Sequence, residues 1–189
     1  MAEQNSKPAI ERAFSLGFGV ETDIRSHLAT VVISHDQILS SDNLVNFEIG
    51  NGNRFALNLK EDGLVTNFSA HKDWISSSSS FLFDGSMPQM YTAWKNGIPH
   101  ALRVSEYERE VPWSSDFLWI DGFESDWWID NPFVLSLSSK SHCVFVSPEL
   151  HGREHHRAFD WLAQMKSEDI FDFSVCTDFP EELRVLCGS

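Results

Sequence analysis

Gly19-Val-Glu21-Thr-Asp23-Ile-Arg25 is a β-prone segment in which two carboxylates stand two positions apart. Side chains at positions i and i+2 of a strand point to the same face, so Glu21 and Asp23 are predicted to lie side by side. A hard divalent cation such as Mg²⁺ or Ca²⁺ binds such oxygen ligands. A short distance further on, Ile33-Ser-His35-Asp36 supplies a histidine, the commonest general acid or base. The two segments predict a small metal-plus-histidine site at the end of a strand.

Length and charge limit the classes of function. The chain has 189 residues, which suits a single domain spanning residues 1–189 with a substantial core. Its formal net charge of −14 disfavours binding to nucleic acid or to an anionic membrane surface. An anionic small substrate stays compatible with this charge, because a bound cation inverts the local field.

The compartment is inferred from cysteines and from apolar runs. No apolar run approaches the length of about 18 residues that a membrane span needs. The first residues, Met1 to Pro8, are polar and lack the apolar region of a secretory signal. The three cysteines have no metal-ligand spacing, and Cys143 and Cys176 lie in apolar runs that predict buried thiols. We therefore expect a cytoplasmic protein without disulfides.

Strand-like and helical segments alternate along the chain, which predicts an α/β fold with parallel strands. Strands are predicted at Phe18–Ile24, Phe55–Lys60, Ser80–Asp84, Ile98–Val104, Phe117–Asp121, His142–Ser147 and Phe173–Thr177, with Thr30–Ser34 paired to the first. Helices are predicted at Asn5–Leu16, at Met87–Asn96 with Ser86 as N-cap, and at Glu154–Met165. The serine run over residues 76–80 is predicted to form a loop. Seven main strands are one short of a TIM-type (β/α)₈ barrel, so the expected architecture is such a barrel lacking its first strand.

The same residues resemble a known family. Several segments occur in the order seen in glycerophosphodiester phosphodiesterases. They are the helix that follows Glu3-Gln-Asn5-Ser6, then Glu21-Thr-Asp23, His35-Asp36, Asn58-Leu-Lys60 and Cys176-Thr-Asp178-Phe-Pro180. That family belongs to the phospholipase-C-like phosphodiesterases, which are distorted (β/α)₈ barrels.

The resemblance implies a role for each matching side chain. Glu21 and Asp23 would hold a divalent cation, Mg²⁺ or Ca²⁺, together with Asn58. His35 would act as a catalytic acid or base, and Lys60 would stabilise negative charge on the phosphate. These roles agree with the general chemistry of metal-assisted phosphoryl transfer.

The chain departs from the family pattern at two places. The family's barrel begins with a strand ending in a His-Arg-Gly-like motif, and no segment of this chain supplies that motif. The family also usually has glutamate where this chain has Asn58, and an amide oxygen coordinates a cation without contributing charge. Affinity for the metal is therefore expected to be lower.

A second group of polar residues falls near the ends of later strands. Arg103, Glu149, His151 and Arg153 are predicted to hold the head of a phosphodiester, and Arg153 is predicted to open a helix. Glu106, Asp121 and Glu124 occur nearby, and three tryptophans could wall such a pocket: Trp119, Trp127 and Trp128.

Each of these residues also has an ordinary structural interpretation. Glu21 and Asp23 could be salt-bridged strand carboxylates, His35 a turn residue, Lys60 a surface lysine and Asn58 an interior amide. The segment from Glu149 to Arg153 could be a charged loop, and the tryptophans could be core residues. His155 and His156 are expected to be surface residues.

The leading functional hypothesis is metal-assisted hydrolysis of a phosphodiester of a small polyol or sugar. The alternative is a catalytically impaired barrel that binds a phosphodiester or sugar phosphate. An amidohydrolase-type metal enzyme ranks lower, because no His-x-His occurs in the chain. Sheet edges and many aromatic residues leave self-association open.

We expect this polypeptide to have little or no phosphodiesterase activity as it stands. Adding about 15 upstream residues, enough for a strand of about 3.3 Å per residue and its loop, should restore turnover in a hydrolysis assay. Equal activity with and without the addition would contradict the expectation.

Overall fold

The computed structural model of this chain describes residues 5–28, 30–39, 45–46 and 53–188. Within these residues the fold is mixed α/β, with parallel strands and helices, as the alternating pattern predicts. The chain divides into two compact units, Met1–Ala101 and Leu102–Ser189. Among the described residues, no helix combines the length and the apolar character needed to cross a bilayer.

The first unit contains a sheet with the order β3-β2-β1-β4-β5. Its strands are β1 Val20–His27, β2 Thr30–Ile33, β3 Val45–Asn46, β4 Phe55–Leu59 and β5 Phe81–Phe83. β1, β4 and β5 are parallel, and β2 returns antiparallel to β1, which confirms the predicted pairing of this strand. β1 ends three residues beyond the predicted Ile24, because Arg25, Ser26 and His27 continue the ladder with β2.

Helices and short turns connect the strands of this unit: α1 Lys7–Ser15, α2 Val65–Phe68, a 3₁₀ turn Ser69–His71, α3 Lys72–Ser77 and α4 Met87–Lys95. α1 confirms the first predicted helix, and its N-terminus is capped by the Ser6 hydroxyl, which accepts from Ala9 N at 3.4 Å. Ser86 precedes α4 as predicted, but its hydroxyl donates to Asp62 Oδ1 at 2.7 Å and does not cap the helix. The prediction of a loop over residues 76–80 is wrong at its start, since Ser76 and Ser77 belong to α3.

The second unit contains a sheet with the order β6-β7-β8-β9. Its strands are β6 Ala101–Val104, β7 Phe117–Ile120, β8 His142–Val146 and β9 Phe173–Cys176, each inside a predicted strand. β7, β8 and β9 are parallel. The helical segments are α5 Pro132–Ser138, a 3₁₀ turn Pro148–His151, α6 His156–Ser167 and α7 Pro180–Leu186.

Aromatic side chains form the core of the second unit. Trp128 is fully buried, with its ring 5.0 Å from that of Phe145 and 5.6 Å from that of Trp161. Trp119 is also buried, so both tryptophans fit the interpretation as core residues. Trp127 is partly buried and donates from Nε1 to the Asp121 carbonyl at 2.6 Å. Their rings stabilise the unit by apolar burial.

Two cysteines test the prediction of buried thiols. Cys143 is buried, and desolvation raises the pKa of its thiol to about 12. Cys176 is only half-buried, because it ends β9 at the edge of the sheet. The prediction is confirmed for the first and wrong for the second.

A buried hydroxyl joins two strands of the first unit. Ser80 is fully buried, and its Oγ accepts from the Phe55 backbone N–H at 2.9 Å. The same oxygen is hydrogen-bonded to Ser78 Oγ at 2.8 Å. Ser80 therefore links the start of β4 to the end of α3, just before β5 begins.

Replacing this hydroxyl should be costly. Ser80→Ala removes the hydroxyl that accepts from the Phe55 N–H and contacts Ser78 Oγ, and we expect the free energy of unfolding to fall by about 1–3 kcal/mol. The matched control Ser77→Ala removes an exposed hydroxyl and should change it by less than about 0.5 kcal/mol. Urea denaturation of both variants measures the difference, and equal stabilities would contradict this role for Ser80.

Candidate functional site

Four predicted site residues meet on one face of the first sheet. In the parallel register of β1 and β4, Asp23 lies opposite Asn58 and Glu21 lies opposite Ala56. Lys60 follows β4 by one residue. We call Glu21, Asp23, Asn58 and Lys60 the acidic-pair cluster. The prediction of a site at the end of a strand is wrong for Glu21 and Asp23, which lie in the first half of β1 because this strand continues into the hairpin with β2.

Asp23 is held by two partners. The side chain is buried, and Oδ1 is 3.0 Å from Lys60 Nζ, while Oδ2 accepts from Asn5 Nδ2 at 2.9 Å. Asn5 also accepts from the Thr22 hydroxyl at 2.8 Å and from the Asp23 backbone N–H at 3.4 Å. Asn5 thus orients Asp23 through one contact to its carboxylate and one to its backbone.

The role of Asn5 was missed from the sequence. Its backbone has φ of 56°, the left-handed region that asparagine tolerates better than most residues. The available signal was the short polar segment before the first helix, in which Asn5 precedes Ser6.

Glu21 carries the clearest electrostatic perturbation. Glu21 is exposed as a residue, although its carboxylate lies among the side chains of Asn58 and Asp23. Desolvation, followed by the negative charge of Asp23, raises the pKa of Glu21 to about 7. The Asn58 amide and the positive charges of Lys60 and His35 oppose this increase. Glu21 is therefore ready to accept a positive ion or a proton near neutral pH.

Asn58 has an unusual environment for an amide. It is 8% exposed, and Nδ2 donates to Glu21 Oε1 over a long 3.4 Å. Its Oδ1 is buried and accepts no hydrogen bond from the described residues. A buried acceptor without a partner costs free energy, so this oxygen is suited to an additional positively charged ligand. Turning the amide by half a turn would bring the oxygen towards Glu21.

His35 lies close to the cluster but is not hydrogen-bonded to it. The side chain is 68% exposed, with Nδ1 3.0 Å from Asp36 Oδ1, and the ring is near enough to act electrostatically on Glu21. Arg25 fixes the backbone of this loop, because NH2 donates to the His35 carbonyl at 3.0 Å and NH1 donates to the Lys60 carbonyl at 3.0 Å. Arg25 was also missed as a positioning residue, although its place two residues after Asp23 puts it on the same face.

The second unit has a buried carboxylate–histidine pair at the carboxyl ends of β7 and β8. Asp121 is 4% exposed and accepts from the Gly122 N–H at 2.9 Å. The same oxygen is 2.7 Å from His151 Nε2, and Arg103 Nε is 4.0 Å from Oδ2. Because the carboxylate favours the proton on Nε2, Nδ1 of His151 is left as an acceptor. The structure thus brings His151 and Arg103 together around Asp121.

Glu149 and Arg153 hold loops together. Glu149 accepts from the hydroxyls of Ser147 and Thr177 and from the Asp178 N–H. Arg153 donates to the carbonyls of Gly122 at 2.7 Å and Phe123 at 2.9 Å. Arg153 does not open a helix as predicted, since α6 begins at His156. These contacts fit the alternative of a charged loop better than a substrate grip.

Glu106 completes this loop network. Its carboxylate accepts from the N–H groups of Phe123, Glu124 and Ser125. Desolvation acts to raise the pKa of Glu106, but these backbone hydrogen bonds outweigh it and the pKa is lowered. Glu106 is therefore an ionised anchor for the loop after β7.

Comparisons with known proteins do not assign this chain to a family. No family model, no curated protein and no solved structure matches this chain. The functional interpretation consequently depends on the geometry and charge of the residues themselves.

The raised pKa of Glu21 predicts a pH dependence of stability. Between pH 4.5 and about 7 the folded state binds more protons at this carboxyl than the unfolded state does. The contribution of Glu21 to the free energy of unfolding is therefore present at low pH and lost as the pH rises through about 7. Glu21→Gln should abolish this loss, so the variant should gain stability relative to the parent chain as the pH rises.

Chemical denaturation at several pH values measures this difference. Glu11→Gln, which changes an exposed carboxylate on α1, serves as the control. The same pH profile for the Glu21 variant and the parent chain would contradict the interpretation of the acidic-pair cluster.

Proposed function

We propose that this chain is a metal-dependent phosphodiesterase domain of the glycerophosphodiester phosphodiesterase type, acting on a phosphodiester of a small polyol or sugar. Glu21, Asp23 and Asn58 would hold Mg²⁺ or Ca²⁺. The observation that carries the proposal is the Asn58 side chain, which lies opposite Asp23 and contacts Glu21 through Nδ2, while its buried Oδ1 has no hydrogen-bond partner among the described residues. Turning the amide would bring this oxygen to the two carboxylates, where it could bind a cation with them.

Charge balance supports a cation at this place. Two carboxylates lie on one face of β1, and Lys60 is the cation that contacts Asp23, at 3.0 Å. Repulsion between the carboxylates contributes to the raised pKa of Glu21. Two acidic oxygens and one amide oxygen form the hard donor set that Mg²⁺ and Ca²⁺ prefer. A bound cation would supply polarisation of the phosphoryl oxygens and neutralisation of their negative charge.

Lys60 and His35 would provide the remaining chemistry. The Lys60 side chain is 23% exposed, so its ammonium can contact a phosphate oxygen while staying close to Asp23. His35 is exposed, and Asp36 beside Nδ1 favours the proton on that nitrogen. In this tautomer Nε2 is free to accept a proton from an attacking hydroxyl, and the protonated ring can then deliver one to the leaving alkoxide. Arg25 and Asn5 would position these groups without contacting substrate.

The proposal includes a TIM-type (β/α)₈ barrel. Two sets of parallel strands, β1-β4-β5 and β7-β8-β9, with helices after most of them, support this architecture. In such barrels the functional groups gather at the carboxyl ends of the strands, which is where Asn58 and Lys60 lie on β4. We propose that the barrel is a single domain and that its ligand is a small phosphodiester.

A non-catalytic binding module is the second candidate. Asn58 favours it, because an amide ligand contributes no charge and so holds a catalytic cation less tightly than a carboxylate would. Such a module would bind a phosphodiester or sugar phosphate without turning it over.

Metal affinity tests the cation site. Asn58→Asp should tighten Mg²⁺ binding about tenfold by adding a carboxylate, and Asp23→Asn should weaken it by at least as much. Asn67→Asp adds the same charge at an exposed position of α2 and is the matched control. Isothermal titration calorimetry with Mg²⁺ and with Ca²⁺ measures the affinities. Unchanged affinity in both cluster variants would contradict the site.

Turnover separates the two candidate functions. We expect the parent chain with Mg²⁺ to bind glycerol phosphodiesters, and Lys60→Met to weaken that binding. Any hydrolysis of bis(p-nitrophenyl) phosphate should fall at least a hundredfold in His35→Ala, since general acid–base catalysis contributes about 10²–10⁴-fold. Binding without hydrolysis would favour the module, and neither binding nor hydrolysis would contradict both.

A further inference from the structure

We propose that Glu154, His155 and His156 form a binding site for Zn²⁺ or a similar transition-metal ion on the second unit, separate in residues and in chemistry from the acidic-pair cluster. One ligand atom from each of the three side chains lies within 4.8 Å of the others. Tetrahedral ligands about 2.0–2.2 Å from zinc stand roughly 3.4 Å apart, so the three atoms are close enough to share one ion once the exposed His156 side chain turns towards it.

The carboxylate of Glu154 is the centre of the group. Its Oε1 accepts from the backbone N–H of His155 at 2.9 Å, which fixes the position of this oxygen. His155 Nδ1 lies 3.8 Å from the same oxygen, and His156 Nδ1 is in direct contact with it. One nitrogen of each imidazole therefore lies near the same carboxylate oxygen. The two rings are stacked at 17°, so the exposed His156 ring would rotate out of this stack to share an ion with His155.

His155 is held more firmly than a surface histidine. It is only 9% exposed, and its ring stacks on Phe179 at 4.8 Å and on His156 at 4.5 Å. The ring of Phe159 is 4.6 Å away. A side chain packed on several sides loses little further conformational entropy when it binds a metal. The expectation of a surface residue is wrong for His155, although His156 is exposed at 68%.

Glu182 provides an independent argument. His155 Nε2 is 3.3 Å from Glu182 Oε1 on α7. A carboxylate at one ring nitrogen holds the proton there and leaves the other nitrogen as a lone-pair donor, which is the arrangement common behind metal-bound histidines. Here the nitrogen left as a donor is Nδ1, the one that faces Glu154.

The donor set selects the kind of ion. Imidazole nitrogens suit Zn²⁺, Cu²⁺ and Ni²⁺, whereas Mg²⁺ and Ca²⁺ prefer oxygen donors. A site with two histidines and one glutamate leaves a position open for water, as in catalytic zinc sites. Glu182 and Asp160 add negative charge near His156, which favours a cation.

Zinc titration in excess Mg²⁺ tests the inference, since Mg²⁺ occupies oxygen sites and competes poorly for imidazole. We expect one zinc per chain with saturable binding. Glu154→Gln and His156→Ala should each weaken zinc affinity at least tenfold, and Glu182→Gln should weaken it about 10–100-fold by loosening His155. His71→Ala, which removes an exposed histidine from the first unit, should leave the affinity unchanged within twofold.

Cobalt provides the second readout. Co²⁺ bound by the parent chain should give the visible absorption bands of a nitrogen- and oxygen-ligated ion, and these bands should be lost in His156→Ala while the metal-free melting temperature stays the same. Zinc affinity within twofold of the parent in both the Glu154 and His156 variants, or no saturable binding, would overturn the site.

Discussion

The parallel register between β1 and β4 is the constraint on which the acidic-pair cluster depends. Pairing Asp23 with Asn58 puts these side chains on the same face of adjacent strands, and the two-residue repeat of β1 adds Glu21 to that face. A shift of one residue would send Glu21 and Asp23 to the opposite face, so the cluster exists only in the observed register. The antiparallel return of β2 then brings His35 back beside the same group.

Side chains around this register control charge. Asp23 is buried between Asn5 and Lys60, whereas Glu21 has the long contact with Asn58 and a pKa raised to about 7. The chain as a whole is strongly acidic, with a net charge of −14, so general attraction for anionic substrates is absent. Any anion must therefore be attracted locally, by Lys60, by His35 or by a cation bound to the carboxylates.

The sequence predicted those parts of the molecule that follow from local periodicity. The same-face placement of Glu21 and Asp23 follows from the repeat of a strand, and Asn58 and Lys60 follow from parallel pairing of the next strand in the pattern. Helix α1 follows from the amphipathic spacing of its apolar residues and from Gly17 after its end.

Contacts between distant segments could not be predicted in this way. Asn5 reaches Asp23 from 18 residues away, and Arg153 reaches the loop after β7 from 30 residues away. His155 could not be recognised as buried, because its packing depends on Phe179 in a later turn. The sequence likewise could not indicate whether Glu149 would face solvent or accept hydrogen bonds from the end of β9. Each of these outcomes depends on tertiary packing, which overrides local preference.

The most direct measurement is a crystal structure of the chain soaked with Mn²⁺, with the ion located by its anomalous scattering. Our account predicts an anomalous peak within about 2.0–2.6 Å of oxygens from Glu21, Asp23 and Asn58, with the amide turned so that its oxygen faces the ion. An acidic-pair cluster without such a peak, in which the Asn58 nitrogen still faces Glu21 and Lys60 alone balances the carboxylates, would contradict it.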